Sequence, residues 1–168
     1  MTGQQLPMHR NIFKNACYYS SGAALLYDNV FSGRNSADYL APGILCSTFC
    51  IELLLKCLAL IRHDDVFTRQ HVLEKGISLD EHAYSKIFFN IDADLQDKVV
   101  KTYNSLFDQN LQKSEYVGLL KKLGDKGFVE WRYVYESPRS KYLDVQLQNQ
   151  ITDSLGRTIE ALYKERGL

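Results

Sequence analysis

The run "ILCSTFCIELLLKCLALI", Ile44 to Ile61, limits the fold more than any other part of the chain. As a helix it is apolar on nearly every side, and it is about long enough to cross a bilayer. Glu52 and Lys56 sit near its middle, however, and a charge at the centre of a membrane helix costs about 2.5–3.5 kcal/mol. A helix at the centre of a bundle fits better, because neighbouring helices then cover the apolar surface. Glu52 and Lys56 are four residues apart with the acid first, the favourable order for a helical pair. On a surface such a pair contributes about 0.3–0.5 kcal/mol. When it is buried, removing one partner typically costs about 3–5 kcal/mol. Pro42 suits the first turn of this helix, which is expected over Ala41 to Ile61.

Apolar spacing is helical in most of the remaining chain. Ile12, Phe13, Ala16, Tyr19, Ala23, Leu26, Tyr27 and Val30 recur at three and four residues and predict a first helix from Met8 to Phe31. A polar excursion over 62–80 precedes a short helix in "HAYSKIFFNI", where Tyr84, Ile87, Phe88 and Ile91 are available for packing. Leu95, Val99, Tyr103, Leu106 and Phe107 mark the next stripe. Ser114 is placed to cap "EYVGLLKKL", which Gly124 and Gly127 would end. Leu143, Leu147, Ile151, Leu155, Ile159 and Leu162 define the last helix, with Gly156 in its interior. Only 124–140 breaks the pattern: Val129, Trp131, Tyr133 and Tyr135 alternate with Glu130, Arg132 and Glu136, as in extended chain, although a helical turn is also compatible. The expectation is a single all-α domain over 1–168, an up-and-down bundle of four to five main helices with an irregular aromatic segment before the last.

Charge and motifs remove several classes of function. Twenty basic and 20 acidic residues cancel, so no overall field favours nucleic acid or an anionic membrane. Only Gln112 to Tyr142 is locally basic, with 7 Lys and Arg against 4 Asp and Glu. "MTGQQLPMHRNIF" has no apolar stretch of signal-peptide length, and the expected location is the cytoplasm, with no membrane contact. Cys17, Cys46, Cys50 and Cys57 include no Cys-x-x-Cys pair and no interleaved histidine, and read as core residues rather than a metal or disulfide site. No phosphate-binding glycine loop, nucleophile elbow or zinc-protease motif occurs, and no cofactor is expected. His63, beside Asp64 and Asp65, reads as a solvated loop residue. His82, at the start of a short helix, reads as a hydrogen-bond partner for a neighbouring helix.

Arg132 and Glu136 are also four apart and also lie among large hydrophobes. One reading is a buried latch in which Arg132 reaches Glu52 and Glu136 reaches Lys56, with Tyr133 and Tyr135 packed around them. The other is a ligand site: Trp131, Tyr133 and Tyr135 offer faces for a base, while Arg132, Arg139 and Lys141 meet phosphate.

These segments, in this order, resemble the HEPN superfamily, the nucleotide-binding helical domains of higher eukaryotes and prokaryotes. "CIELLLKCLAL" supplies the Glu-x-x-x-Lys at Glu52 and Lys56; "EHAYSKIFFNI" is similar to the family's His-x-x-x-x-Leu-Phe, with His82 and Phe88 in the key places. "FVEWRYVYE" is similar to an Arg-Tyr-x-Tyr-Glu found in some bacterial members. The resemblance spans roughly Ile12 to Leu162. It implies a helical bundle, commonly a homodimer, whose catalytic branch contains metal-independent ribonucleases, often paired with nucleotidyltransferase-like proteins. That branch uses Arg, four to six residues, then His. Here Ser137, Pro138 and Arg139 stand where the histidine would, and no histidine follows His82. The resemblance therefore implies a non-catalytic module that binds a nucleotide, RNA or protein partner in a defence or stress setting. Two alternatives remain: a ribonuclease using other groups, such as Arg132 with Tyr133 or Tyr135, and an assembly protein with no small ligand.

Overall fold

Helical periodicity becomes helix almost everywhere it is read. The computed structural model describes residues 5–32, 36–132 and 144–168, and within these every regular element is an α-helix. In chain order they are α1 (Met8–Phe31), α2 (Ser36–Leu60), α3 (Arg69–Glu74), α4 (Tyr84–Phe89), α5 (Ala93–Phe107), α6 (Lys113–Lys122), α7 (Gly127–Arg132) and α8 (Val145–Glu165). The fold is an all-α bundle.

The centre is α2, which packs against α1, α4, α7 and α8, while α5 lies against α8 and α6. Its Ile51, Leu54, Leu55 and Leu58 share one core with Tyr84 and Phe88, Leu95 and Val99, Tyr116 and Leu120, and Ile151, Leu155 and Ile159. Each such side chain contributes about 1.5–3 kcal/mol through burial. The stretch Asp38–Leu60 is long and apolar enough to cross a membrane, but 67% of its apolar 18-residue window is buried inside this fold. Polar groups in the interior find partners: Tyr84 Oη donates to the Thr48 carbonyl at 2.8 Å, and Tyr116 Oη lies 3.2 Å from Ser154 Oγ. Gln96 Nε2 donates to the Ile91 carbonyl at 2.7 Å.

Several local expectations are corrected. Instead of opening at Ala41, α2 starts at Ser36 and carries Pro42 in its interior. Proline at position 42 removes the bond that its amide would give to the Asp38 carbonyl, while Asp38 in the first turn complements the positive end of the helix dipole. The cap of α6 is Gln112, whose amide donates to Glu115 Oε2 at 2.6 Å, rather than Ser114, which lies inside the helix. Gly124, at φ 86°, takes the left-handed position after α6, as expected of a terminating glycine. Gly127 instead opens a helix. A β-carbon there would sit 2.8 Å from Tyr84 Oη and 3.1 Å from Thr48 Cγ2, so only glycine lets α7 approach this closely. Residues 127–132 are thus helical, not extended, and 133–143 lie outside the described residues. Tyr19 and Leu106, placed on buried stripes, are 39% and 38% exposed. Within the polar excursion, Val66 and Val72 bury beside Leu60 in a satellite cluster that also takes Met8 and Ile77.

Candidate functional site

Helical spacing puts Glu52 and Lys56 on one face of α2, toward α4. Glu52 is 2% exposed, and its Oε1 accepts from Lys56 Nζ at 2.8 Å and lies 3.0 Å from His82 Nδ1. His82 is held just before α4, where the Glu81 carboxylate accepts from the amides of His82 and Ala83, both at 2.9 Å. Those two amides hold the Glu81 carboxyl down at about 2. Glu52 Oε2 is buried and has no hydrogen-bond partner among the described residues. Three of the residues singled out in the sequence are thereby brought together: Glu52, Lys56 and His82.

The aromatic segment is described only in its first part. Phe128 stacks on Phe49 with ring centroids 4.4 Å apart, and Tyr19 meets the same Phe49 at 4.7 Å. Trp131 is half-buried against Ala23, Tyr27 and Ile44. From Thr48 and Phe49 toward Ile44, α7 therefore crosses α2 on the N-terminal side of Glu52. Of Arg132 only the backbone at the end of α7 is described; Tyr133, Tyr135, Glu136, Arg139 and Lys141 lie outside the described residues.

A second polar cluster had no local signature in the sequence. His9 is fully buried, with Nδ1 2.9 Å from Tyr163 Oη and Nε2 2.9 Å from Asp64 Oδ1. Burial lowers its pKa more than the neighbouring Asp64 raises it. A neutral ring satisfies both contacts: Nε2–H donates to Asp64 and Nδ1 accepts from the Tyr163 hydroxyl. Cys57 donates to the His9 carbonyl at 3.3 Å, and burial pushes its thiol up to about 12, so it stays protonated. Arg166 reaches both Asp64 and the Ile61 carbonyl. The apparent metal cluster around His63 is spoken for in the same way, since Asp65 pairs with Lys75 at 2.8 Å. Among the described residues no group of three or more His, Cys, Asp or Glu is disposed to hold a metal.

A groove opens on the other side of α2. Both α1 and α8 lie on α2 and meet where Phe13 and His9 touch Tyr163. Beyond that join they are separated by two connected cavities of about 330 and 440 Å³ that share Ser20, Cys50, Thr152 and Asp153. Ser47, Cys50 and Leu54 of α2 form the floor. The α1 wall includes Ala16, Ser20, Ala24 and Asp28; the α8 wall includes Thr152, Asp153, Gly156, Arg157 and Glu160. Among the described residues, the groove walls thus carry Asp28, Asp153 and Glu160 against one arginine, Arg157. Thr152 Oγ1 and Gln148 Nε2 are buried without partners among the described residues, while Gln148 Oε1 accepts from Tyr27 Oη at 3.0 Å. Cys17, Cys50 and Gly156 stand out in the sequence only as core or helix residues, and Asp28, Asp153, Arg157 and Glu160 were not singled out at all. The local signal is the small side chains at Ser20 and Ala24, which leave that flank of α1 shallow.

Compared with models of known protein families, with curated proteins and with solved structures, the chain finds no match in any of the three.

Proposed function

We propose that the chain is a non-catalytic, HEPN-like helical module that binds a protein partner in the groove between α1 and α8. The groove carries this reading: it is open, floored by core residues of α2, and has acids on both walls. Among the described residues, three carboxylates against one guanidinium disfavour a polyphosphate or RNA backbone there, because such a ligand would face like charge on each side. The state of the other reactive groups supports a binding role. The His9 ring has both nitrogens engaged, burial raises the Cys50 and Cys57 thiols to about 12, and His82 leans on Glu52. A thiol protonated at neutral pH is a poor nucleophile.

Incubation with end-labelled RNA tests the absence of catalysis, and thermal unfolding with nucleotides and short RNAs tests the partner class. The expected result is intact RNA and an unchanged Tm. A ligand present at 100 times its Kd would raise stability by about 2.7 kcal/mol, so a clear upward shift with nucleotide or RNA would move function to the aromatic segment. Cleavage lost in Arg132→Ala would restore the ribonuclease reading. Sedimentation of the purified chain checks the homodimer implied by the family resemblance.

A further inference from the structure

We propose that the segment seated in the groove is an amphipathic helix of a protein partner, small or apolar toward the α2 floor and bearing Lys or Arg along both edges. The proposal rests on the binding reading above and gives the partner's chemistry.

Shape is the first argument. The groove follows α1 from Phe13 toward Phe31, about 27 Å at a rise of about 1.5 Å per residue. Its two cavities lie in series and are continuous through Ser20, Cys50, Thr152 and Asp153. A single compact ligand would be served by one closed pocket. Two depressions in series along an open channel suit a helix that inserts side chains at successive turns. Small residues on the α1 wall, Ser20 and Ala24, allow a partner backbone to approach closely, within the 8–10 Å typical of packed helices.

Charge is the second argument, and it selects the partner. Asp28 stands on the α1 rim, and Asp153 and Glu160 stand on the α8 rim, all exposed. A helix with basic residues on both flanks meets opposite charge on each side, whereas an acidic helix meets like charge. Arg157, also exposed on α8, leaves one position where an acidic residue of the partner is favoured. Thr152 Oγ1, buried and unpartnered among the described residues, is a further donor at the groove wall.

The test is a displayed library of 18-residue amphipathic helices, with the flanking positions drawn from Lys, Arg, Glu and Gln and selected on the intact protein. Selected helices are expected to be rich in Lys and Arg at both flanks and to bind at least tenfold more weakly at 0.5 M salt. Their affinity should also fall at least tenfold for the Asp28→Lys, Asp153→Lys, Glu160→Lys protein. All three positions are exposed, and an unchanged melting temperature confirms that this protein is folded. Selection on it should return Glu-rich flanks. Ala24→Trp, which fills the groove from α1, should abolish binding. Helices that bind and are blocked by Ala24→Trp, yet show no preference for basic flanks, would overturn the partner chemistry and leave the groove reading standing. No selected helix, or helices indifferent to Ala24→Trp, would overturn both.

Discussion

The first and last helices are near equals in length and sit on the same central helix, yet they are buried very differently. Over 21 residues α8 buries nine: Leu147, Gln148, Ile151, Ser154, Leu155, Thr158, Ile159, Leu162 and Tyr163. Over 24 residues α1 buries four: His9, Ala16, Ala23 and Tyr27. The difference follows from position. Two helices, α2 and α5, pack on α8, whereas α1 has one substantial neighbour, α2. A helix with one neighbour buries one stripe, and Tyr18, Leu25 and Phe31 of α1 remain 60%, 66% and 73% exposed. Among the described residues, the bundle is thus well covered on the α5 side and leaves α1 open along one flank.

The largest expected effect separates the two helices directly. Leu155→Ala, in the fully buried seam of α8, should lower unfolding free energy by about 2–5 kcal/mol in urea denaturation. Leu25→Ala on the open face of α1 should stay within about 0.5 kcal/mol. Similar losses at both sites would mean that α1 is covered in solution and the contrast is false.

Next in size is the join between the helices. Tyr163→Phe removes the hydroxyl that satisfies His9 Nδ1 and should cost about 1–3 kcal/mol, the usual cost of an unpartnered buried polar atom. Gly156→Ala should act in the opposite direction, stabilising by about 1 kcal/mol, since no atom lies within 4 Å of the added methyl group. A destabilised Gly156→Ala would show that the groove is occupied even in the isolated protein.

The finest test uses pH. The folded pKa of His9 lies below the ordinary value of 6.5, so below that value the unfolded chain binds more protons than the folded one. Its contribution is complete above pH 6.5 and is lost as pH falls through 6.5 toward the folded pKa. The Tm of the wild type should therefore drop between pH 7 and pH 5, with a shallower slope in His9→Gln. Glu81 acts lower on the scale: its depressed pKa contributes stability above pH 4.5 that fades as pH falls toward about 2. Equal slopes for wild type and His9→Gln between pH 7 and pH 5 would remove His9 as the source.

The α2 core was legible in the sequence because a helix apolar on every side has only one place in a bundle, and α8 because Leu147, Ile151, Leu155, Ile159 and Leu162 keep strict helical spacing over several turns. The helix at α7 was hidden. Val129 and Trp131 alternating with Glu130 and Arg132 match an extended chain equally well, and what selects the helix is the fit of Gly127 against Tyr84 and Thr48. His9 was hidden for a different reason. Its partners lie at positions 64 and 163, and no spacing within α1 points to either. The groove is subtler still: periodicity identifies the apolar side chains of α1 but cannot say which flank of the helix the other described residues leave uncovered.

The contact between His9 and Tyr163 also bears on the order of assembly. His9 is made 154 residues before its partner, an interval of roughly 10–30 s at ordinary rates of chain synthesis. Through that interval the imidazole has no hydroxyl to meet, although Asp64, Cys57 and Val66 already hold the first turn of α1. The polar join is consequently finished in two steps: α1 settles on α2 and the segment after it first, and its contact with α8 closes later.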